Sequence, residues 1–291
     1  MRLVDELHVG CELGEGVLWH PGQQSIWWTD ILGCRLYCYT PERNSLREFT
    51  PPERLSAFGF TSDPNRLIVS FASGIADYWP AQGRVGWLAR PELGLPGQRF
   101  NDGRVDPAGR FWGGTMNEQQ PQTPSSALYS YRDGCRTALT GLCISNGLCW
   151  SPDGRTAYHA DSPTRRITAY DFSADGDLRN PRLFTQTPEG AYPDGACTDA
   201  AGNLWSAHWG AGQVVCYSPQ GDRLQTLELP VSQPTCVAFG GPDYRDLYVT
   251  SAWEGMTEAQ RGAEPRAGNL FVYRGLGQGR ACDFYRPNLS P

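Results

Sequence analysis

Six times along the chain an apolar strand runs into a turn of Pro, Asp, Gly or Asn, and a second strand rich in aromatic or aliphatic residues follows. The segments are "GVLWHPGQQSIWWTD", "FGFTSDPNRLIVSF", "GRVDPAGRFWGGTM", "GLCWSPDGRTAYHA", "GACTDAAGNLWSAHW" and "CVAFGGPDYRDLYVTS". Their turns fall near Gly22, Asn65, Gly109, Gly154, Gly202 and Tyr244. That is a period of about 45 residues, the repeat length of four-stranded propeller blades. A weaker echo follows each segment and carries a third strand: "CRLYCYTPE", "GIADYWPAQG", "SALYSYRDG", "RITAYDFSADG", "GQVVCYSPQG" and "GNLFVYRGLG". No window sustains a 3.6-residue period. The expected fold is therefore all-β: a six-bladed β-propeller occupying residues 1–291 as one domain, with large rings wedged between blades. The stretch "RLVDELHV" alternates like a strand. It is expected to form the outer strand of the last blade, which would close the ring and hide two sheet edges.

Composition excludes several functions. The net charge is -6, which disfavours nucleic acid and anionic membrane surfaces as partners. All 25 basic residues are Arg, so chemistry that needs a Schiff-base or P-loop lysine is ruled out. No run has the length of a signal-peptide core or a membrane span, and a cytoplasmic location is expected. The 10 cysteines are scattered through apolar patterns without a CxxC pair and read as reduced, buried thiols. Cys34 and Cys38 are expected on one strand, facing the same side.

In a propeller the first strand of each blade lines the central channel. Counting back roughly eight residues from each turn, the spacing of the repeat itself, reaches Glu15, the Ser56–Ala57 region, Asn101, Asn146, Asp194 and Thr235. Carboxylates and amides from distant parts of the chain are thus expected around one axis, at its mouth. Singly, each could cap a strand or bind turn amides. Together, Glu15, Asn146 and Asp194 suit one hard divalent cation such as Ca²⁺, Mg²⁺ or Mn²⁺, with Zn²⁺ or Fe²⁺ also accommodated. Three protein ligands leave positions for water and substrate, as in a catalytic centre. No basic residue is expected at their level. Gly16, Gly147 and Gly195 are expected to let the backbone turn sharply into the strands.

The motifs "GEGVLWHP", "RFNDGRVDPAGRFWGGTM", "SNGLCWSPDGRTAYHAD" and "PDGACTDAAGNLW" resemble, in order and spacing, those of the gluconolactonase/regucalcin (senescence marker protein) family of sugar lactonases. The resemblance runs from about Gly14 to Ala252. It implies a six-bladed propeller that opens aldonolactones with one divalent metal, held by Glu15, Asn146 and Asp194. It also places Asn101 against substrate or the metal's water, and Arg99 and Gln119 against substrate. Members of the animal type carry a carboxylate where Gln119 stands, with Glu118 beside it here. The polar stretch 116–126 around these residues is expected to be a loop or lid.

Hydrolysis of a cyclic ester requires charge stabilisation on the carbonyl oxygen and a base for the attacking water. Asp194, placed by sequence in a "YPDG" turn, is the expected general base. No GxSxG elbow and no HExxH spacing occurs among the four histidines, which disfavours a serine hydrolase and a zincin. His20 and His208 are expected at blade interfaces and His159 in a structural role. Trp253 and the segment after it are candidate contributors to specificity. Competing readings keep the same site but give it a broader lactone or ester substrate, or make the propeller a non-catalytic binder of Ca²⁺ or protein.

Overall fold

A buried aspartate shows how sequence becomes blade. In "VDPAGRFW" the carboxylate of Asp106 accepts from the Arg110 backbone N–H at 2.9 Å, from Arg110 Nε at 2.7 Å and from Trp112 Nε1 at 2.9 Å. In "TDAAGNLW" Asp199 accepts from the Asn203 backbone N–H at 2.9 Å and from Trp205 Nε1 at 3.0 Å. One side chain thereby closes a hairpin and fixes the ring of the following strand. Gly109 and Gly202 complete these turns at φ 86° and 88°, where a side chain would be strained.

The computed structural model describes residues 2–120 and 122–287. Among them, 24 strands, β1 to β24 in chain order, form six antiparallel four-stranded sheets. The innermost strands are β2 (Gly14–His20), β6 (Leu55–Phe60), β10 (Gln98–Val105), β14 (Ser145–Trp150), β18 (Tyr192–Thr198) and β22 (Pro234–Gly240). Each touches the next around the axis, and β22 returns to β2. The fold is a six-bladed β-propeller, as the repeat predicts.

Aromatic and aliphatic clusters fill the spaces between blades. Trp112 of the third blade packs edge-on to Trp150 of the fourth, with centroids 5.9 Å apart, and both meet Phe172. Rings of this size carry much of the buried apolar area. His20 packs against Phe60 of the next blade at 4.5 Å. His208 lies against Tyr217 of its own sheet.

The strand β1 (Arg2–Leu7) pairs with β24 (Leu270–Arg274), outermost in the sheet that β22 heads. Arg266 and Asn269 donate to Glu6 across this seam. Beyond β24 the chain crosses the lower face: Tyr285 N donates to Phe60 O at 2.8 Å and Arg286 N to Gly109 O at 2.9 Å. Residues 280–283 then line the lower channel with Leu18, Arg104, Cys149 and Cys197, around a cavity of about 60 Å³. The C-terminal segment therefore caps the lower end of the axis.

Three local expectations change. Cys34 lies in the turn before β4 (Arg35–Thr40), at φ 55°, and does not share a strand with Cys38. Asp194 lies within β18 rather than in a turn. One short helix, α1 (Glu258–Ala263), follows the sixth blade's second strand and is closed by a Thr257/Gln260 capping box. All ten cysteines are free, and no helix among the described residues is long and apolar enough to cross a membrane.

Candidate active site at the channel mouth

Every innermost strand carries a register shift near its start: between Glu15 and Leu18, Leu55 and Ala57, Phe100 and Gly103, Asn146 and Cys149, Pro193 and Ala196, and Pro234 and Val237. A bulge re-aims the side chain beside it, and here it turns polar residues to the axis. Gly16 and Gly147 allow this at φ 62° and 61°. Gly195 serves differently: a Cβ there would sit 2.6 Å from Cys236 Sγ, so its role is close packing. The chain leading into two of these strands is pinned by aspartates. Asp30 accepts from the N–H groups of Glu12 and Leu13, and Asp161 from those of Cys143 and Ile144.

Glu15, Asn146 and Asp194 are 6%, 5% and 8% exposed. The carboxyls of Glu15 and Asp194 lie within hydrogen-bonding reach of each other. Burial, and then the charge of Asp102, lifts Glu15 above the usual carboxyl range; burial, and then Glu15, lifts Asp194. Two carboxylates this close cannot both ionise cheaply. Arg104, deeper in the channel, partly offsets Glu15 and Asp102. Asn101 joins the set: its Nδ2 donates to Asn146 Oδ1 and to Ser145 O, both at 3.1 Å.

Arg99 is buried, with its side chain 2% exposed. Its Nη1 donates to Asn101 Oδ1 at 2.8 Å and its Nε to Glu118 Oε1 at 2.9 Å. Arg54, at the root of the second blade, grips the same carboxylate with Nη1 at 2.8 Å and Nη2 at 2.9 Å. Burial raises the Glu118 carboxyl, but hydrogen bonds from the two guanidiniums outweigh it and hold the group below its ordinary range.

The structure does not bring Gln119 to these residues. Its N–H is tied to Asn117 Oδ1 at 2.8 Å and its side chain packs over Gly97. Glu118 occupies the place expected for it, because Glu118 N–H donates to Gly97 O and sets the loop's register. Pro121, within the 116–126 stretch, lies outside the described residues. His159 is 2% exposed, and burial pushes it down to about 4, so it is neutral and bonded to Ser145 Oγ at 2.8 Å. Trp253 donates Nε1 to Gly10 O and stacks under Arg261. Arg54, Glu118 and Ser162, the last bonded to Asn146, carry the same geometry; only Glu118 had a sequence signal, its place beside Gln119.

Among the described residues no group of three or more His, Cys, Asp and Glu is set to hold a metal. The candidate here is two carboxyls and an amide. This donor set fits a hard cation: all oxygens, buried, with a repulsion that a divalent charge would relieve.

The family profile described as "SMP-30/Gluconolactonase/LRE-like region" matches residues 13–253. A 6-deoxy-6-sulfogluconolactonase of Pseudomonas putida is 37% identical over 90% of this chain and 91% of its own length. An L-arabinolactonase of Azospirillum brasilense is 35% identical over 89% and 87%. Among solved structures, a calcium-binding regucalcin from Agrobacterium tumefaciens superposes with a TM-score of 0.92 at 31% identity, covering 98% of both chains. The chain belongs to the SMP-30/gluconolactonase/LRE-like family.

Proposed function

We propose that this protein hydrolyses a sugar aldonolactone to the aldonic acid, using one divalent metal ion held by Glu15, Asn146 and Asp194 at the channel mouth. The observation that carries the reading is that two buried carboxyls within reach of each other, and a buried amide, stand beside the bulges of three inner strands. The relatives named as lactonases supply the reaction class. When bound, the ion would polarise the lactone carbonyl and acidify water.

The chain's own groups do the rest. Asp194 accepts the proton of the attacking water; its burial and its carboxyl neighbour raise its basicity, which favours a general base. Asn101, fixed between Arg99 and Asn146, presents a rigid polar edge to the sugar. Arg99 and Glu118 line the approach as donor and acceptor for ring hydroxyls. The capped lower end leaves the upper mouth for entry. The ten free cysteines fit a reducing compartment such as the cytoplasm.

The test is hydrolysis of an aldonolactone panel by metal-stripped protein, with Ca²⁺, Mg²⁺, Mn²⁺, Zn²⁺ and Fe²⁺ re-added singly. One lactone in the panel carries a terminal sulfonate, because the Pseudomonas putida relative is named for such a substrate and Arg54 and Arg99 place two guanidiniums at the mouth. Metal-dependent turnover above the spontaneous rate is expected on at least one member. Ion binding with no turnover on any lactone or simple ester would contradict catalysis and leave a Ca²⁺-binding propeller.

A further inference from the structure

A metal at this site needs the oxygen of the Asn146 amide, not its NH₂, to face the axis. The two ends of an amide have nearly the same shape, so its partners decide which way it points. Ser162 opens the 3-10 turn Ser162–Thr164, just after β15 (Thr156–Asp161). Its Oγ donates to Pro193 O at 2.7 Å. A hydroxyl has one proton, so only lone pairs remain on that oxygen. The Asn146 group 2.8 Å away must therefore be the donor Nδ2.

The opposite side gives the same answer. Arg99 has only donors, so Asn101 turns Oδ1 to it and Nδ2 towards Asn146. Asn146 Oδ1 then accepts one N–H and keeps a second lone pair for a cation. Ser162 is 7% exposed, and its own N–H is held by Ile144 O at 3.1 Å. From this one oxygen run bonds to Asn146 and to the carbonyl of the residue before Asp194.

We propose that Ser162 is a positioning residue of the metal centre: its hydroxyl, its own proton committed to Pro193 O, selects the ligating end of Asn146. The inference rests on the metal-centre reading above. It assigns Ser162 no contact with substrate, only control over which end of Asn146 faces the axis. Partners that orient metal ligands in this way are typically worth about 10–100-fold in metal affinity.

Calorimetric titration of Mn²⁺ into metal-stripped protein tests it, in wild type, Ser162→Ala, Asn146→Asp and the double variant. Ser162→Ala should weaken binding by about tenfold or more, with the melting temperature of the metal-free protein little changed. Ser162→Thr, which keeps the hydroxyl, should restore affinity. In the Asn146→Asp background the Ser162→Ala change should alter affinity by less than about threefold, since a carboxylate offers an oxygen whichever way it turns. Wild-type affinity in Ser162→Ala would overturn the proposal. So would an equal loss in both backgrounds, the mark of a merely structural serine. Wild-type protein that binds no Mn²⁺ would instead remove the metal centre itself, and the inference with it.

Discussion

Asp194 and Glu118 differ in how far sequence alone places a single residue. Asp194 lies in a strand whose repeat position can be counted from the turns, so its place at the axis is legible in sequence. Asp194→Asn should lower kcat by about 10²-fold or more while KM stays measurable, as expected for loss of a general base; steady-state kinetics would show it. Glu118 is not legible in the same way. Whether it or Gln119 faces Arg99 depends on a loop register set by Gly97, twenty-one residues upstream, and by the Asn117 side chain. Glu118→Gln should cost roughly tenfold or more in kcat/KM, in line with a lost charge-assisted hydrogen bond, whereas Gln119→Ala should leave it within about twofold. The reverse order would restore the expectation from sequence. Arg54 and Ser162 gave no signal, because their partners lie far along the chain, Glu118 in the next blade and Asn146 a strand away, and no local pattern records them.

The blade hairpin was the most readable element, because its chemistry is local. Aspartate, glycine and a ring fall within seven residues, and one carboxylate satisfies the turn and the indole together. Asp106 is fully buried, and Asp106→Ala would strand Arg110 and the Trp112 N–H. A loss of about 3–5 kcal/mol is expected, as for breaking a buried ion pair, and urea unfolding with an unchanged m-value would measure it. A loss below about 1 kcal/mol would show that the turn is held by its backbone alone. Less readable were the bulges at the strand roots. The polar residues marked their places, but a register shift between two strands leaves no local pattern in sequence.

At the scale of the whole molecule, the seam between chain ends closes the ring. The alternating amino terminus revealed β1, but the C-terminal strap across the lower face did not show, since it pairs by one isolated bridge, Tyr285 to Thr61, rather than a strand pattern. Glu6 carries a pH signature for this seam. Burial raises its carboxyl, but hydrogen bonds from Arg266 and Asn269 outweigh burial and lower it. A carboxyl lowered by folding adds stability that is complete above its unfolded value, about 4.3, and is lost as pH falls through the folded value. Wild type should therefore lose melting temperature faster than Glu6→Gln as pH falls from about 5 to 3; parallel curves would show that the pair contributes nothing.

If Glu15, Asn146 and Asp194 hold one ion on the propeller axis, that ion must be visible there. Anomalous diffraction from crystals soaked in Mn²⁺ tests it most directly. One dominant peak is expected at the upper mouth, with an oxygen of each of the three side chains at bonding distance. A peak elsewhere, or none at that position under saturating Mn²⁺ while lactone hydrolysis still depended on the metal, would contradict it.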